Sequence, residues 1–290
     1  MDKSYILNVI DLIKNSENNK KYKVYAIVAP SISSQFTYAK LGQVISGLKN
    51  LGFFTVIEAA LGADMVAIDE TCELVEKGFL TSSCCPAFVS YINSEFPDLA
   101  EHISHNLSPM VEISKYIKKT DPTAKAVFIG PCTAKKAEAQ LEKAKPHVDA
   151  VLTFEELQAL FDSRKIEITS LDEDVLDNAS YYGRIFARSG GLSDAVVQAL
   201  KEQGLEDFPL KAVACNGIEE CRIALLKKRK GVLDANFIEG MACLGGCIGG
   251  AGSLTHGPKN KAGVDKYGKE ALEKSISDAI SVQTRCCRNP

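Results

Sequence analysis

Short apolar runs separated by helical patterns recur along this chain, and that alternation restricts its fold more than any other feature. "VYAIVAP" is followed by Ser33 to Leu51, where Leu41, Val44, Ile45 and Leu48 fall at helical spacing and Gly52 is a stop signal; "FFTVIEA" follows. "AKAVFIG" stands before a Lys- and Glu-rich helix, and "AVLTF" before "TFEELQALF", in which Thr153 and Glu156 are spaced for a capping box. "LKAVACNG" precedes Ile218 to Lys230, and "NFIEG" precedes a glycine-rich loop. Such alternation predicts an α/β fold of mostly parallel sheet flanked by helices. With 290 residues, 46% of them hydrophobic, the chain can bury one large core or two lobes. We expect a single domain over 1–290 with approximate lobes 1–120 and 121–290; "TSLDEDVLDNASYYGR" is the best internal boundary. The basic run "KKRK" at 227–230 reads as a solvated helix end before Gly231.

The opening residues lack an apolar core and a cleavage site, no run reaches membrane-spanning length, and the net charge of −3 is dispersed. These features predict a cytoplasmic protein with neither nucleic acid nor membrane as partner. Against that background ten cysteines are many, and in a reducing compartment they point to metal or redox chemistry. Any one of them taken alone is more simply a small buried hydrophobe.

Position separates them. Cys85 precedes Pro86, a residue favoured at the start of a helix; Cys132 follows the run "AVFIG"; Cys243 and Cys247 follow "NFIE". All four therefore sit at strand-to-helix turns, which gather at the carboxyl ends of parallel strands. Helix termini there favour thiolate, and glycines 245, 246, 249, 250 and 252 would let backbone amides approach sulfur. The set suits an iron–sulfur cluster with four thiolate ligands. Zinc is the alternative, although its sites usually bring paired C-x2-C knuckles.

"TSSCCPAF", "PCTAKKAEA" and "FIEGMACLGGCIGGAG" resemble, in order and separation, the three signature segments of the catalytic domain of iron-only (FeFe) hydrogenases. "VAPSI", "GADMVAIDETCELVEK" and "SGGLSDAV" match flanking pieces. The resemblance implies a 4Fe-4S cluster held by Cys85, Cys132, Cys243 and Cys247 in the cleft between two lobes. Cys247 would bridge to a diiron subcluster carrying CO, CN and an azadithiolate. It implies that Cys84 is a free thiol exchanging protons with the dithiolate amine, and that protons travel by the path Cys84, Glu73, Ser104, Glu70. Lys135, Pro30 and Ser31 would meet the cyanides, and Met241 would pack against the diiron unit. The implied activity is reversible conversion of protons and electrons to H2. A ferredoxin-like electron partner would supply electrons directly at the cubane, and hydrogenase maturation proteins would load the site.

Three positions depart from the familiar pattern: Gly130 for a methionine, Met110 for a glutamine and Phe88 for a tryptophan. They suggest a divergent subgroup in which Met110 or water fills the room left at Gly130. Two other functions remain open: a slow hydrogen sensor, or a non-catalytic iron–sulfur scaffold without the diiron unit. Cys72, Cys215 and Cys221 read as core thiols, and Cys286 and Cys287 as a tail pair.

Overall fold

The structure is a computed structural model that describes residues 3–284; Cys286 and Cys287 lie outside them. In chain order the elements begin with α1 (Ile6–Asn15), β1 (Val24–Val28), α2 (Leu41–Leu51), β2 (Thr55–Glu58) and α3 (Ala59–Lys77). β3 (Leu80–Thr81), α4 (Pro86–Glu95), α5 (Pro109–Thr120), β4 (Lys125–Gly130) and α6 (Ala134–Glu138) follow. Next come β5 (Ala150–Thr153), α7 (Phe154–Ser163), α8 (Tyr181–Ile185), α9 (Gly191–Glu202) and β6 (Ala212–Asn216). The described chain ends with α10 (Ile218–Arg229), β7 (Phe237–Met241), α11 (Lys259–Glu270) and α12 (Ile276–Thr284).

Two parallel sheets result, one in the order β2-β1-β4-β5 and one in the order β3-β7-β6. The α/β expectation therefore holds, but a cut near residue 120 does not separate the sheets. β4 and β5 of the first sheet come after that point, and β3 of the second comes before it. β5 and, beyond Lys125, β4 are fully buried and read as continuous apolar runs, as strands of a covered parallel sheet do.

Local chemistry explains the element ends. Thr153 and Glu156 form the expected capping box: the Glu156 amide donates to the Thr153 hydroxyl at 3.1 Å, and the Thr153 amide donates to the Glu156 carboxylate at 2.8 Å. The helix expected from Ser33 is instead a 3-10 turn, Pro30–Ser34, followed by a loop, and α2 starts only at Leu41. The Gln35 side chain holds that loop by accepting from the Leu254 amide at 2.8 Å. At the end of α10 the basic run is less solvated than expected. Lys228 lies 3.4 Å from the Phe79 ring centroid, and Arg229 pairs with Asp98 at 2.7 Å.

The stretch between α7 and α8 carries the chain from the first sheet to the second, yet it is no loose linker. Ala179, Ser180 and Arg184 are buried. Arg184 grips Glu58, at the end of β2, through two hydrogen bonds of 2.8 Å, and Asp177 at 2.7 Å. Tyr267 donates to the same Glu58 carboxylate at 2.6 Å, while the guanidinium stacks 4.0 Å from the Tyr267 ring centroid. Asp64 accepts from the Ser180 amide at 2.8 Å and from its hydroxyl at 2.5 Å. The two sheet systems are thus fastened by a buried polar network. No helix among the described residues is long and apolar enough to cross a membrane.

Candidate active site

Residues just past the carboxyl ends of five strands meet around one cavity. Pro30 follows β1, Ala59 follows β2, Cys84 and Cys85 follow β3, Cys132 follows β4, and Cys243 and Cys247 follow β7. Placement past the strand ends is where open parallel sheets bind ligands.

Each cysteine owes its position to its turn. Cys85 is the N-cap residue of α4, with Pro86 starting the helix. Cys132 sits between β4 and α6. The loop from Cys243 to Cys247 turns back at Gly246, whose φ of 87° suits glycine; a Cβ there would stand 2.6 Å from the Ser189 amide nitrogen. The other glycines of this loop pack against backbone and side chains: a Cβ on Gly250 would meet the Pro131 carbonyl at 2.5 Å.

Burial outweighs any helix-terminus effect on Cys132, Cys243 and Cys247. It pushes the Cys132 thiol up to about 11, although Lys135 pulls the other way. Burial, then the neighbouring Cys132 and Cys85, also raises Cys247. Thiols in such surroundings give up their protons when a metal replaces them.

Cys84 lines the same cavity. Burial raises its thiol well above the ordinary range, and Glu70 is the next contributor. Its carbonyl accepts from Lys135 Nζ at 3.2 Å. Lys135 is buried, pairs with Glu138 at 2.6 Å and lines the cavity. Burial alone would lower its pKa, but Glu138 outweighs that and raises it, so Lys135 is charged. Met110 and Met241 line the wall, and Ser31, beside Pro30, is buried with its hydroxyl unpartnered. The Ser108 hydroxyl, two residues before Met110, is likewise buried and unpartnered.

Two expectations are corrected here. Gly130 does not reach the cavity, and neither Met110 nor water is needed to fill its space. The Phe128 ring lies 2.7 Å from where a Cβ on Gly130 would be, and Phe128 itself lines the wall. A buried aromatic thus occupies the room that a longer side chain at 130 would need. Phe88 is fully buried against β7 beside Gly240.

The carboxylates also sit in the reverse of the expected order. Glu70 is buried, neither of its oxygens has a hydrogen-bond partner, and among the nearby acids it contributes most to Cys84. Burial pushes it up to about 8, against the pull of the Ser104 hydroxyl and the Ser83 amide. Glu73 lies one turn farther from the cavity and nearer to solvent. It accepts from the Ser104 hydroxyl at 2.8 Å, from Asn106 Nδ2 at 2.9 Å and from Lys77 at 2.7 Å. Burial opposes its ionisation, but Lys77, the His105 amide and Ser104 together hold it below the usual range. Residue 70 and not residue 73 therefore faces inward on α3, and Ser104 hydrogen-bonds Glu73.

Cys215 and Cys221 are buried as expected, but Cys72 is exposed, its thiol 3.0 Å from Gln203 Oε1. Reading of the sequence missed Phe186 and Ala187 in the cavity wall and the buried Glu239 on β7. A lone acid within the apolar run "NFIEGMA" was the available signal for Glu239.

Residues 22–251 match the family described as "Iron only hydrogenase large subunit, C-terminal domain". Iron hydrogenase 1 of Clostridium pasteurianum is 30% identical over 311 residues, covering 88% of this chain and 54% of that protein. A cytosolic Fe-S cluster assembly factor of Kluyveromyces lactis is 35% identical over 94 residues, 32% of this chain and 20% of its own. A variant of an FeFe-hydrogenase from Chlamydomonas reinhardtii superposes with a TM-score of 0.80 at 19% identity, covering 99% of this chain and 94% of that one. The chain belongs to the iron-only hydrogenase family, as the C-terminal domain of its large subunit. It spans about half the length of the first curated relatives it matches.

Proposed function

We propose that this chain interconverts H2 with two protons and two electrons at a 4Fe-4S cluster linked to a diiron unit. The observation that carries this reading is the pair Cys84 and Lys135. A cubane bound by four thiolates needs neither, yet both face the same cavity as the four ligand cysteines. Cys85, Cys132, Cys243 and Cys247 would hold the cubane, with Cys247 as the bridging sulfur. The buried ammonium of Lys135 and the unpartnered Ser31 hydroxyl are donors suited to cyanide, and a buried donor without a partner is costly unless a ligand accepts from it. When bound, the metal group supplies the redox and hydrogen-splitting chemistry. The protein's own work is to hold it in an apolar pocket and move protons. Cys84 carries the proton at its sulfur, Glu70 exchanges it within the dry interior, and Ser104 links Glu70 to the hydrogen-bonded Glu73 near solvent. A ferredoxin-like carrier would exchange the electrons, and hydrogenase maturation proteins would deliver the diiron unit.

Similarity to a cytosolic Fe-S cluster assembly factor favours a second reading, a cluster scaffold without catalysis. One experiment separates the two. The cluster-reconstituted protein is incubated without oxygen with a synthetic diiron dithiolate complex, freed of excess and examined in the infrared. Sharp protein-specific CO and CN bands are expected; a loaded cubane without them selects the scaffold.

The path also makes a graded prediction. With iron content matched, Glu70→Gln should lower hydrogen evolution by roughly 10²-fold or more, within the usual range for losing a proton-transfer group. Glu73→Gln should cost less, since solvent reaches its end of the path. A larger loss at Glu73 than at Glu70 would restore the opposite order.

A further inference from the structure

Three consecutive residues close around the carboxylate of Glu73. The Ser104 hydroxyl donates to it at 2.8 Å, the His105 amide at 3.1 Å to each oxygen, and Asn106 Nδ2 at 2.9 Å. That segment is itself tied to β3 and the turn after it: the Ser104 amide donates to the Thr81 carbonyl at 2.9 Å, and the Ser83 hydroxyl to the Asn106 carbonyl at 2.8 Å. Lys77, one turn along α3, completes the clamp with an ammonium 2.7 Å from Glu73 Oε1.

His105 spans the clamp and the solvent. Its amide is one of the donors, while its side chain is 77% exposed, against 12% for Glu73. Nδ1 of the ring nevertheless stands 3.4 Å from Glu73 Oε1 and 3.3 Å from Lys77 Nζ. Among the described residues, Glu73 and Lys77, both on α3, are the charged groups within hydrogen-bond or ion-pair reach of the ring. Of the side chains that could meet solvent here, an imidazole is the kind that gains and loses its proton near neutral pH.

Burial opposes the charge on Glu73, but Lys77, the His105 amide and Ser104 outweigh it, so the carboxylate is ionised and open to a proton. Water alone supplies that proton slowly. At pH 7 hydronium stands at about 10⁻⁷ M, and a diffusional ceiling of roughly 10⁹–10¹⁰ M⁻¹s⁻¹ limits its arrival to about 10²–10³ per second. Buffer acids are far more abundant, and an exposed ring can collect from them.

We propose that His105 is the port through which Glu73 exchanges protons with the surroundings: the imidazolium gives its Nδ1 proton to Glu73 Oε1 for hydrogen evolution, and the neutral ring takes it back for hydrogen oxidation. The N–H bond breaks as the O–H bond forms, imidazolium and carboxylate become a neutral pair, and no electron moves. A gap of 3.4 Å is closed by a small turn of the exposed ring or by one water. Lys77 holds the receiving oxygen in place. The proposal rests on the proton-path reading above and adds its outer terminus.

Two measurements test it. The first needs no metal: the imidazole signals of the four histidines are titrated by NMR in the full chain at low salt, with His105 assigned by its loss in His105→Gln. In Glu73→Gln the His105 midpoint should fall by about half a pH unit, the scale of losing an exposed ion-pair partner, and an unmoved midpoint overturns the contact on which the proposal stands. The second uses the loaded protein. His105→Gln keeps the amide that clamps Glu73, and in dilute buffer at pH 7 it should lower hydrogen evolution about tenfold. Added imidazole should restore the rate, and the deficit should shrink as the pH falls and hydronium takes over the supply. A loss that neither imidazole nor acid repairs would make His105 a merely structural residue, and an undiminished rate in dilute buffer would remove it from the path; either overturns the proposal. Failure of the hydrogenase reading would instead show as missing CO and CN bands with the histidine shift intact. Failure of this inference would leave those bands in place with an unshifted titration or an unrescued rate.

Discussion

Replacing Cys84 with alanine will leave iron binding intact while slowing hydrogen evolution by about 10²- to 10⁴-fold, the usual contribution of a positioned acid–base group. The expectation rests on the division of labour between adjacent cysteines. Cys85 caps α4 while its neighbour Cys84 lines the cavity, with Glu70 the acid that contributes most to it, so two thiols on one turn can serve different partners. Burial and the nearby acids keep the Cys84 sulfur protonated, which suits a group that must donate and regain a proton and does not suit a fifth ligand. Iron and sulfide analysis, the infrared bands and turnover, measured on one preparation, decide the matter. Unchanged turnover would take Cys84 off the path. Loss of the cubane together with activity would make it a ligand.

The largest effect on stability is expected at Arg184. Its side chain is 1% exposed, as is Glu58, and it satisfies Glu58 and Asp177 together. Arg184→Met would fill similar space but leave Glu58 without its counter-charge, an error that costs about 3–5 kcal/mol when the pair is buried. Urea unfolding of the metal-free chain measures it. Pairing the change with Glu58→Gln should recover part of the loss, because the stranded charge is then gone. A single-variant effect below about 1 kcal/mol would mean that water reaches Glu58 and that the network does not fasten α8 to β2. Phe186 and Ala187 follow Arg184 directly and line the cavity, so the same variant should also lower the iron taken up on reconstitution.

Much of this was legible in the chain itself. The alternating runs located the strands because buried parallel strands are continuously apolar. Cys132, Cys243 and Cys247 stood out because they follow such runs, and Cys85 because it precedes Pro86. The start of α2 was missed because local periodicity does not reveal that Gln35 is occupied with a loop more than two hundred residues away. The order of Glu70 and Glu73 was misread because residues three apart share a helix face; which of them points inward depends on how α3 packs. Cys72, on the same helix, came out exposed for the same reason. Phe128 was overlooked because an aromatic within a strand reads as ordinary core. Glu239 was missed because a charge within an apolar strand shows its partners only in three dimensions, and Arg184 because it ends a polar stretch that reads as a boundary.

The short strand β3 carries a consequence for how the protein is made. Among the described residues, its backbone pairs with β7, Leu80 against Phe237 and Thr81 against Ile238, and otherwise makes a single bridge, between Thr81 and Ile103. On the ribosome, Cys84 and Cys85 therefore wait through most of the chain's synthesis for the strand that seats them, and Cys243 and Cys247 follow that strand. No partial chain holds the full set of thiols in place, and pairings so distant in sequence form late. If these thiols bind a cluster as proposed, loading would follow synthesis of β7 and the loop after it, and until then the thiols would have to be kept reduced.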